Sequence, residues 1–154
     1  STLLDNSIKQ HLDDLLANNV KFRVIGDLSH LPASIRETVQ HAEQVTSKFK
    51  KYKLNIAYNY GGQWDIVNSI KTMLEKKLEI TTSNISEYLA TGSDYPDLII
   101  RTGGYKRLSN FMLWQAAYSE LIFLETLWPD FTKEHVKHIF LDYKLIKRKF
   151  GKVD

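Results

Sequence analysis

Cysteine is absent from all 154 residues. That excludes a disulfide framework, a thiol nucleophile and any cysteine-held zinc or iron–sulfur centre, and it is compatible with a reducing compartment. Long apolar runs are missing as well. No stretch approaches the roughly 18 to 20 apolar residues a spanning helix needs, and Ser1-Thr2-Leu3-Leu4-Asp5-Asn6 has neither the basic nor the apolar region of a signal peptide. A soluble, cytoplasmic protein is expected. There is no initiator Met and the chain opens directly into a helical pattern, so the natural polypeptide is expected to start further upstream. Charge of one sign is in short supply too: 21 Lys and Arg stand against 18 Asp and Glu, a net +3. Nucleic-acid modules gather their basic residues on one face or arm, so this balance suits an anionic ligand at one site, and no nucleic-acid partner is expected. HExxH, GxSxG and Walker A patterns are all absent, which argues against a zinc peptidase, a serine-hydrolase elbow and an ordinary nucleotide phosphotransferase.

What is present fits one domain over residues 1–154, 43% apolar and 25% charged, large enough to bury roughly 68–70% of its unfolded surface. Ile8, Leu12, Leu15 and Leu16 recur at helical spacing up to Asn18-Asn19. Val20 to Ile25 reads as a strand closed by Gly26-Asp27, and residues 34–50 as a surface helix with Ile35, Val39, Ala42 and Val45 on one side. Leu54 to Tyr58 is the next strand, and a helix runs from Trp64 to about Lys77, with a shorter one over Ile85 to Ala90. Asp97 to Arg101 is a third strand, apolar enough to be covered on both faces. Ser109 to Tyr118 reads as helix, Glu120 to Leu124 as a fourth strand, and Thr132 to Phe150 as a closing helix whose end carries Lys144, Lys147, Arg148 and Lys149. This alternation predicts an α/β fold with a mostly parallel sheet flanked by helices. Trp64, Trp114 and Trp128 are expected in the core, and the five histidines carry no assigned chemistry.

Ligands of open parallel sheets bind outside the carboxyl ends of the strands, where three loops qualify: Gly26 to Ser29, Asn59 to Trp64, and Arg101 to Asn110. The third sets Arg101, Lys106 and Arg107 around Gly103-Gly104, with Ser109 at an expected helix start. Guanidinium forks match phosphate oxygens, and a helix start offers free N–H groups, so a diphosphate is the natural guest. The plain alternative is a turn whose arginines pair with carboxylates. Glu120 is a candidate magnesium ligand, magnesium preferring few protein oxygens and substrate phosphates; its plain alternative is a strand-end ion pair.

Three stretches then carry a family resemblance. Val24-Ile25-Gly26-Asp27, Asn55-Ile56-Ala57-Tyr58-Asn59-Tyr60-Gly61-Gly62, and Asp97 through Gln115 followed by Tyr118-Ser119-Glu120-Leu121 and Trp128-Pro129-Asp130-Phe131 resemble, in order, the C-terminal part of the cis-prenyltransferases, the undecaprenyl diphosphate synthases. The resemblance implies condensation of isopentenyl diphosphate with an allylic diphosphate such as farnesyl diphosphate, using magnesium, to lengthen a cis-polyprenyl carrier. It implies that Arg101, Arg107, Leu108 and Ser109 bind isopentenyl diphosphate, that Glu120 binds magnesium, and that the protein is a homodimer joined through the region after Glu120, with at most transient, peripheral membrane contact. The family's Asp-Gly-Asn-x-Arg segment, which holds its magnesium-binding catalytic Asp, has no counterpart here, nor do its first strand and tunnel helices. The chain alone is therefore expected to hold one substrate half and not to turn over. Tyr105 and Lys106 stand where the family usually has Glu and His, and Lys149-Phe150-Gly151 where it shows Arg-x-Gly. The rival expectation is a noncatalytic subunit of a heteromeric prenyltransferase.

Overall fold

In the computed structural model of the chain, residues 2–146 are described. Their order is α1 (Thr2–Ala17), β1 (Val20–Ile25), α2 (Ala33–Thr46), β2 (Tyr52–Ala57), α3 (Gly62–Glu75), α4 (Thr82–Tyr88), β3 (Leu98–Arg101), β4 (Glu120–Phe123) and α5 (Lys133–Leu145). The α/β expectation holds, and every strand pairing is parallel. β1 pairs with β2 from Val20↔Tyr52 to Ile25↔Ala57, and β3 with β4 from Leu98↔Glu120 to Arg101↔Phe123. Among the described residues these are two separate two-stranded ladders.

The apolar stripes meet where their spacing places them. Ile8 of α1, Phe22 and Val24 of β1, and Val39 and Ala42 of α2 form one buried cluster, with Leu12, Leu15 and Ile56 packed against it. α1 stops because Asn18 turns its amide back onto the Asp14 carbonyl at 2.8 Å and Asn19 takes φ +56°. That left-handed conformation is one Asn tolerates better than most residues. α2 ends at Thr46, short of residue 50, for a similar local reason. The fully buried Thr46 hydroxyl donates to the Ala42 carbonyl at 2.8 Å and accepts the Phe22 N–H at 3.0 Å. Glu43 accepts the Val24 N–H at 2.9 Å, so side chains of α2 satisfy donors of β1 that no neighbouring strand takes up. A second cluster joins Met73 of α3 to Ile85 and Leu89, with Ile66, Ile70 and Trp114 against it.

Three expectations are corrected. Residues 109–118 are not an α-helix: Ser109, Asn110 and Met112 have φ of +49°, +63° and +49°, and only Gln115–Tyr118 form a single 3-10 turn. β3 is half-buried at each position instead of covered on both faces. Trp128 is 73% exposed, stacked on Phe131 at 5.7 Å rather than placed in the core. Trp64 and Trp114 are partly buried. Lys147, Arg148, Lys149, Phe150 and Gly151 lie outside the described residues.

Candidate functional site

The loops at the carboxyl ends of β1, β2 and β3 are joined to one another by hydrogen bonds. Asp27 N–H donates to the Asn59 carbonyl at 3.2 Å, and Asn59 returns its side-chain amide to the Asp27 carbonyl at 3.3 Å. Only glycine fits at residue 26, which has φ +125° and where a Cβ would stand 1.9 Å from the Tyr58 carbonyl oxygen. The Ser29 hydroxyl and N–H both hydrogen-bond the Asp27 carboxyl and hold it below the ordinary carboxylate range.

Asn110 makes the next link. Its carbonyl accepts the Gly62 N–H at 2.6 Å and its Oδ1 the Gln63 N–H at 2.9 Å, so two donors that the first turn of α3 leaves unpaired are capped from a residue far along the chain. Gly62 must lack a side chain, because a Cβ there would lie 2.7 Å from Leu113. Deeper still, the buried Asp65 carboxylate accepts from the Tyr60 hydroxyl at 2.8 Å, the Gln115 amide at 3.0 Å and the Ala90 N–H at 2.8 Å. Burial, reinforced by the Asp65 carboxylate, pushes the Tyr60 phenol well above its usual range, so it stays a proton donor. Its ring meets Phe111 edge-on at 5.8 Å.

The third loop is thereby fixed from below, and its own residues converge. Arg101 Nη1 donates to the Ser109 hydroxyl at 2.8 Å and to the Arg107 carbonyl. The left-handed backbone at Ser109 turns that hydroxyl back towards Arg101, and because the oxygen accepts from Arg101, its own proton remains available to an incoming anion. Tyr105 lies under both guanidinium groups, 4.5 Å from Arg107 and 5.8 Å from Arg101. Arg101, Arg107 and Ser109 share a cavity of about 350 Å³ with Ile99, Leu108, Phe111 and Phe123. Cations on an otherwise apolar wall suit a small molecule with an anionic head and a hydrocarbon tail. A larger cavity of about 590 Å³, lined by Ser86, Tyr95, Leu113 and Trp114, contains no cation.

All four expected substrate-binding residues, Arg101, Arg107, Leu108 and Ser109, therefore come together. They do so differently from the way the residue pattern suggests. No helix starts at Ser109, so no helix dipole faces the cavity. Nor do the glycines offer free amides: Gly103 donates to the Thr126 carbonyl and Gly104 to that of Leu124, each at 2.9 Å. At φ +94° and +85° they shape the loop and tie it to the chain beyond β4. The carboxylate pairing that would make the arginines merely structural is not found. Among the described residues the ion pairs involve Lys9, His11, Lys53 and Lys137, and none involves Arg101, Lys106 or Arg107.

Glu120 is not brought to this cluster. The register places it opposite Leu98 at the amino end of the strand pair, whereas Arg101 stands opposite Phe123 at the carboxyl end, about 10 Å further along at the usual strand rise. Among the described residues no group of three His, Asp or Glu side chains lies close enough to hold a metal; magnesium takes only one or two carboxylates together with substrate phosphates, so that leaves Glu120 a candidate ligand as before. The carboxylate beside the basic loop is Glu125, whose Oε2 is 2.8 Å from where a Gly104 Cβ would sit. A signal for it existed, since Glu125 follows the carboxyl end of β4 and Glu120 begins that strand. Asn110 had a weaker one, its tolerance of left-handed backbone.

Known proteins resemble this chain in sequence and fold. The family model Prenyltransf, described as undecaprenyl diphosphate synthase, matches residues 1–151. A ditrans,polycis-undecaprenyl-diphosphate synthase specific for (2E,6E)-farnesyl diphosphate from Buchnera aphidicola is 42% identical over 96% of this chain and 61% of its own length. A tritrans,polycis enzyme specific for geranylgeranyl diphosphate from Thermoplasma acidophilum is 40% identical, over 97% of this chain and 62% of its own. The chain thus spans about three fifths of these relatives. A crystal structure of a probable undecaprenyl diphosphate synthase from Campylobacter jejuni superposes with a TM-score of 0.90 at 39% identity, covering 98% of this chain and 72% of that one. Lavandulyl diphosphate synthase from Lavandula x intermedia, solved with dimethylallyl diphosphate, gives 0.89 at 29% identity over 98% and 69%.

Proposed function

Since this chain belongs to the cis-prenyltransferase family, the undecaprenyl diphosphate synthases, we propose that it carries the isopentenyl diphosphate half-site of a prenyl-transfer enzyme. One observation carries the reading: two guanidinium groups and a hydroxyl, none paired with a carboxylate among the described residues, converge on an apolar-walled cavity. Arg101 is held by the loop and offers its remaining N–H groups. Arg107, exposed, closes on the diphosphate, Ser109 donates its free proton, and Leu108 with Phe111 contacts the five-carbon tail. In the reaction the allylic C–O bond breaks and inorganic diphosphate leaves, the isopentenyl double bond attacks the allylic carbon to form the new C–C bond, and a proton is lost from the isopentenyl unit to leave the new double bond. The contribution of these residues is orientation and charge stabilisation.

The magnesium that the reaction uses would neutralise the phosphates. Glu120 would help to hold it together with the substrate phosphates. The partner substrate is an allylic diphosphate such as farnesyl diphosphate; relatives are named for farnesyl and geranylgeranyl diphosphate, and one was solved with dimethylallyl diphosphate. A homodimer joined through the region after Glu120 is supported by exposed apolar side chains there, including Leu121, Leu127 and Trp128, and sedimentation returning only monomer would remove it. No helix among the described residues is long and apolar enough to cross a membrane.

The test is calorimetric titration of the 154-residue chain with isopentenyl diphosphate, with and without magnesium, beside an Arg107→Ala variant shown by circular dichroism to be folded. A charge-assisted fork contributes about 1.5–3 kcal/mol, so Arg107→Ala should weaken binding about ten- to hundredfold. The chain should bind isopentenyl diphosphate yet fail to elongate farnesyl diphosphate. Robust elongation would overturn the half-site reading, and absence of binding by a folded chain would favour the noncatalytic-subunit alternative.

A further inference from the structure

Tyr105 is the residue this reading leaves without a purpose. It is 57% exposed, at the tip of the loop that Gly103 and Gly104 fold back, with Arg107 4.5 Å and Arg101 5.8 Å from its ring centroid. A single exposed aromatic is ordinary, but one ring with two guanidinium groups on it is not. Two like charges set side by side repel one another, and among the described residues no carboxylate pairs with either of them. Arg101 is held by the Ser109 hydroxyl and the Arg107 carbonyl. No hydrogen bond of that kind is seen for the Arg107 guanidinium among the described residues, so without the ring it is a long, rotatable side chain that would swing into water.

We infer that Tyr105 is a positioning residue, whose ring serves as the counter-surface that holds the Arg107 and Arg101 guanidinium groups together for a diphosphate. This rests on the half-site reading above and adds to it how the two arginines are held in place before a diphosphate binds. The electron-rich ring face attracts planar cations without neutralising them. The ring offers no acceptor oxygen on its face, so a ligand need not break an ion pair before binding. Ordering the arginines beforehand reduces the entropy lost when ligand arrives. The phenol hydroxyl is not required by this role, only the ring.

The experiment compares the 154-residue chain with Tyr105→Phe, Tyr105→Leu and Arg107→Ala. Each is titrated with isopentenyl diphosphate and examined by NMR for the ring-current shift of the arginine side-chain protons in the absence of ligand. With the ring kept, Tyr105→Phe should bind within about twofold of the parent and keep the shifted arginine signals. Tyr105→Leu should bind about three- to tenfold more weakly, the range expected of cation–π contacts at an exposed site, and lose those shifts while its circular dichroism is unchanged. Equal binding by Tyr105→Leu, or arginine signals that ignore its loss, would overturn the proposal and leave the half-site intact. Loss in Tyr105→Phe equal to that in Tyr105→Leu would overturn it as well, by assigning the effect to the hydroxyl. A parent chain that binds nothing would bring down the half-site reading and the positioning role with it.

Discussion

At the scale of single residues, the side chain on which the loop geometry depends is Asn110, which touches no expected ligand. It occupies φ +63°, a conformation that costs most residues about 1–2 kcal/mol, and spends its carbonyl and side-chain oxygen on the first turn of α3. Replacing it with Ala removes one of those acceptors and places a residue less tolerant of left-handed backbone there. Asn110→Ala should lose about 1–2 kcal/mol of stability, read from a denaturant titration, and weaken isopentenyl diphosphate binding, because Ser109 sits one residue away. Stability lost with affinity unchanged would separate the cap from the site. Residues of this kind are the least legible in a sequence. Gly26 and the pair Gly103-Gly104 announce turns by themselves, whereas the work of Asn110 exists only once a helix begun 48 positions earlier is packed beside it. Arg101, Arg107 and Ser109 were legible as a phosphate-binding set because charge and hydroxyl chemistry is carried in the residue type. Tyr105 was not, since its contribution is a distance to two other side chains.

At the scale of elements, most strands and helices follow directly from spacing, and the failures have one cause. Phe111 and Trp114 lie at the i, i+3 spacing of a helical stripe, yet Ser109, Asn110 and Met112 turn left-handed because hydrogen bonds to α3 outweigh local helical preference. α2 stops early because Thr46 serves β1. Long-range polar contacts, invisible to periodicity, decide both. Asp65 is the strongest instance: a carboxylate in α3, 1% exposed, accepting from Tyr60, from Ala90 just beyond α4 and from Gln115 in the 3-10 turn. Asp65→Asn keeps its shape but turns one acceptor into a donor facing donors. It should cost about 1–3 kcal/mol, the usual penalty for a buried polar group left unsatisfied, with Asp65→Ala at least as harmful. Thermal unfolding of the two variants checks this, and an Asn variant as stable as the parent would mean that the network can rearrange.

At the scale of the whole molecule, the titrating groups predict how stability should vary with pH. Asp5 is held below its ordinary value of 3.8 by hydrogen bonds from Lys9 and Thr38, which tie α1 to α2, and Asp27 is lowered by Ser29 at the end of β1. A carboxyl whose folded value is depressed binds its proton more readily in the unfolded chain. Its contribution is therefore present above about 3.8 and lost as pH falls through the lowered folded value. Tyr60 has the opposite sign. Its folded value is raised above the ordinary 10.0 by burial and by Asp65, so its contribution is whole below pH 10 and drains away as pH rises beyond it. Between these limits none of the three groups changes charge. Melting temperature plotted against pH should thus be flat with respect to these groups across the neutral range and fall at both ends. Asp27→Asn should flatten part of the acid limb, and Tyr60→Phe, which keeps the ring against Phe111 but has no proton to lose, should flatten part of the alkaline one. The acid limb belongs to the α1–β1–α2 side and the alkaline limb to the loops that carry the anion site. Binding of isopentenyl diphosphate should therefore fail at high pH before the first core opens. Loss of affinity in step with melting of the α1–β1–α2 cluster would show instead that the two halves unfold as one.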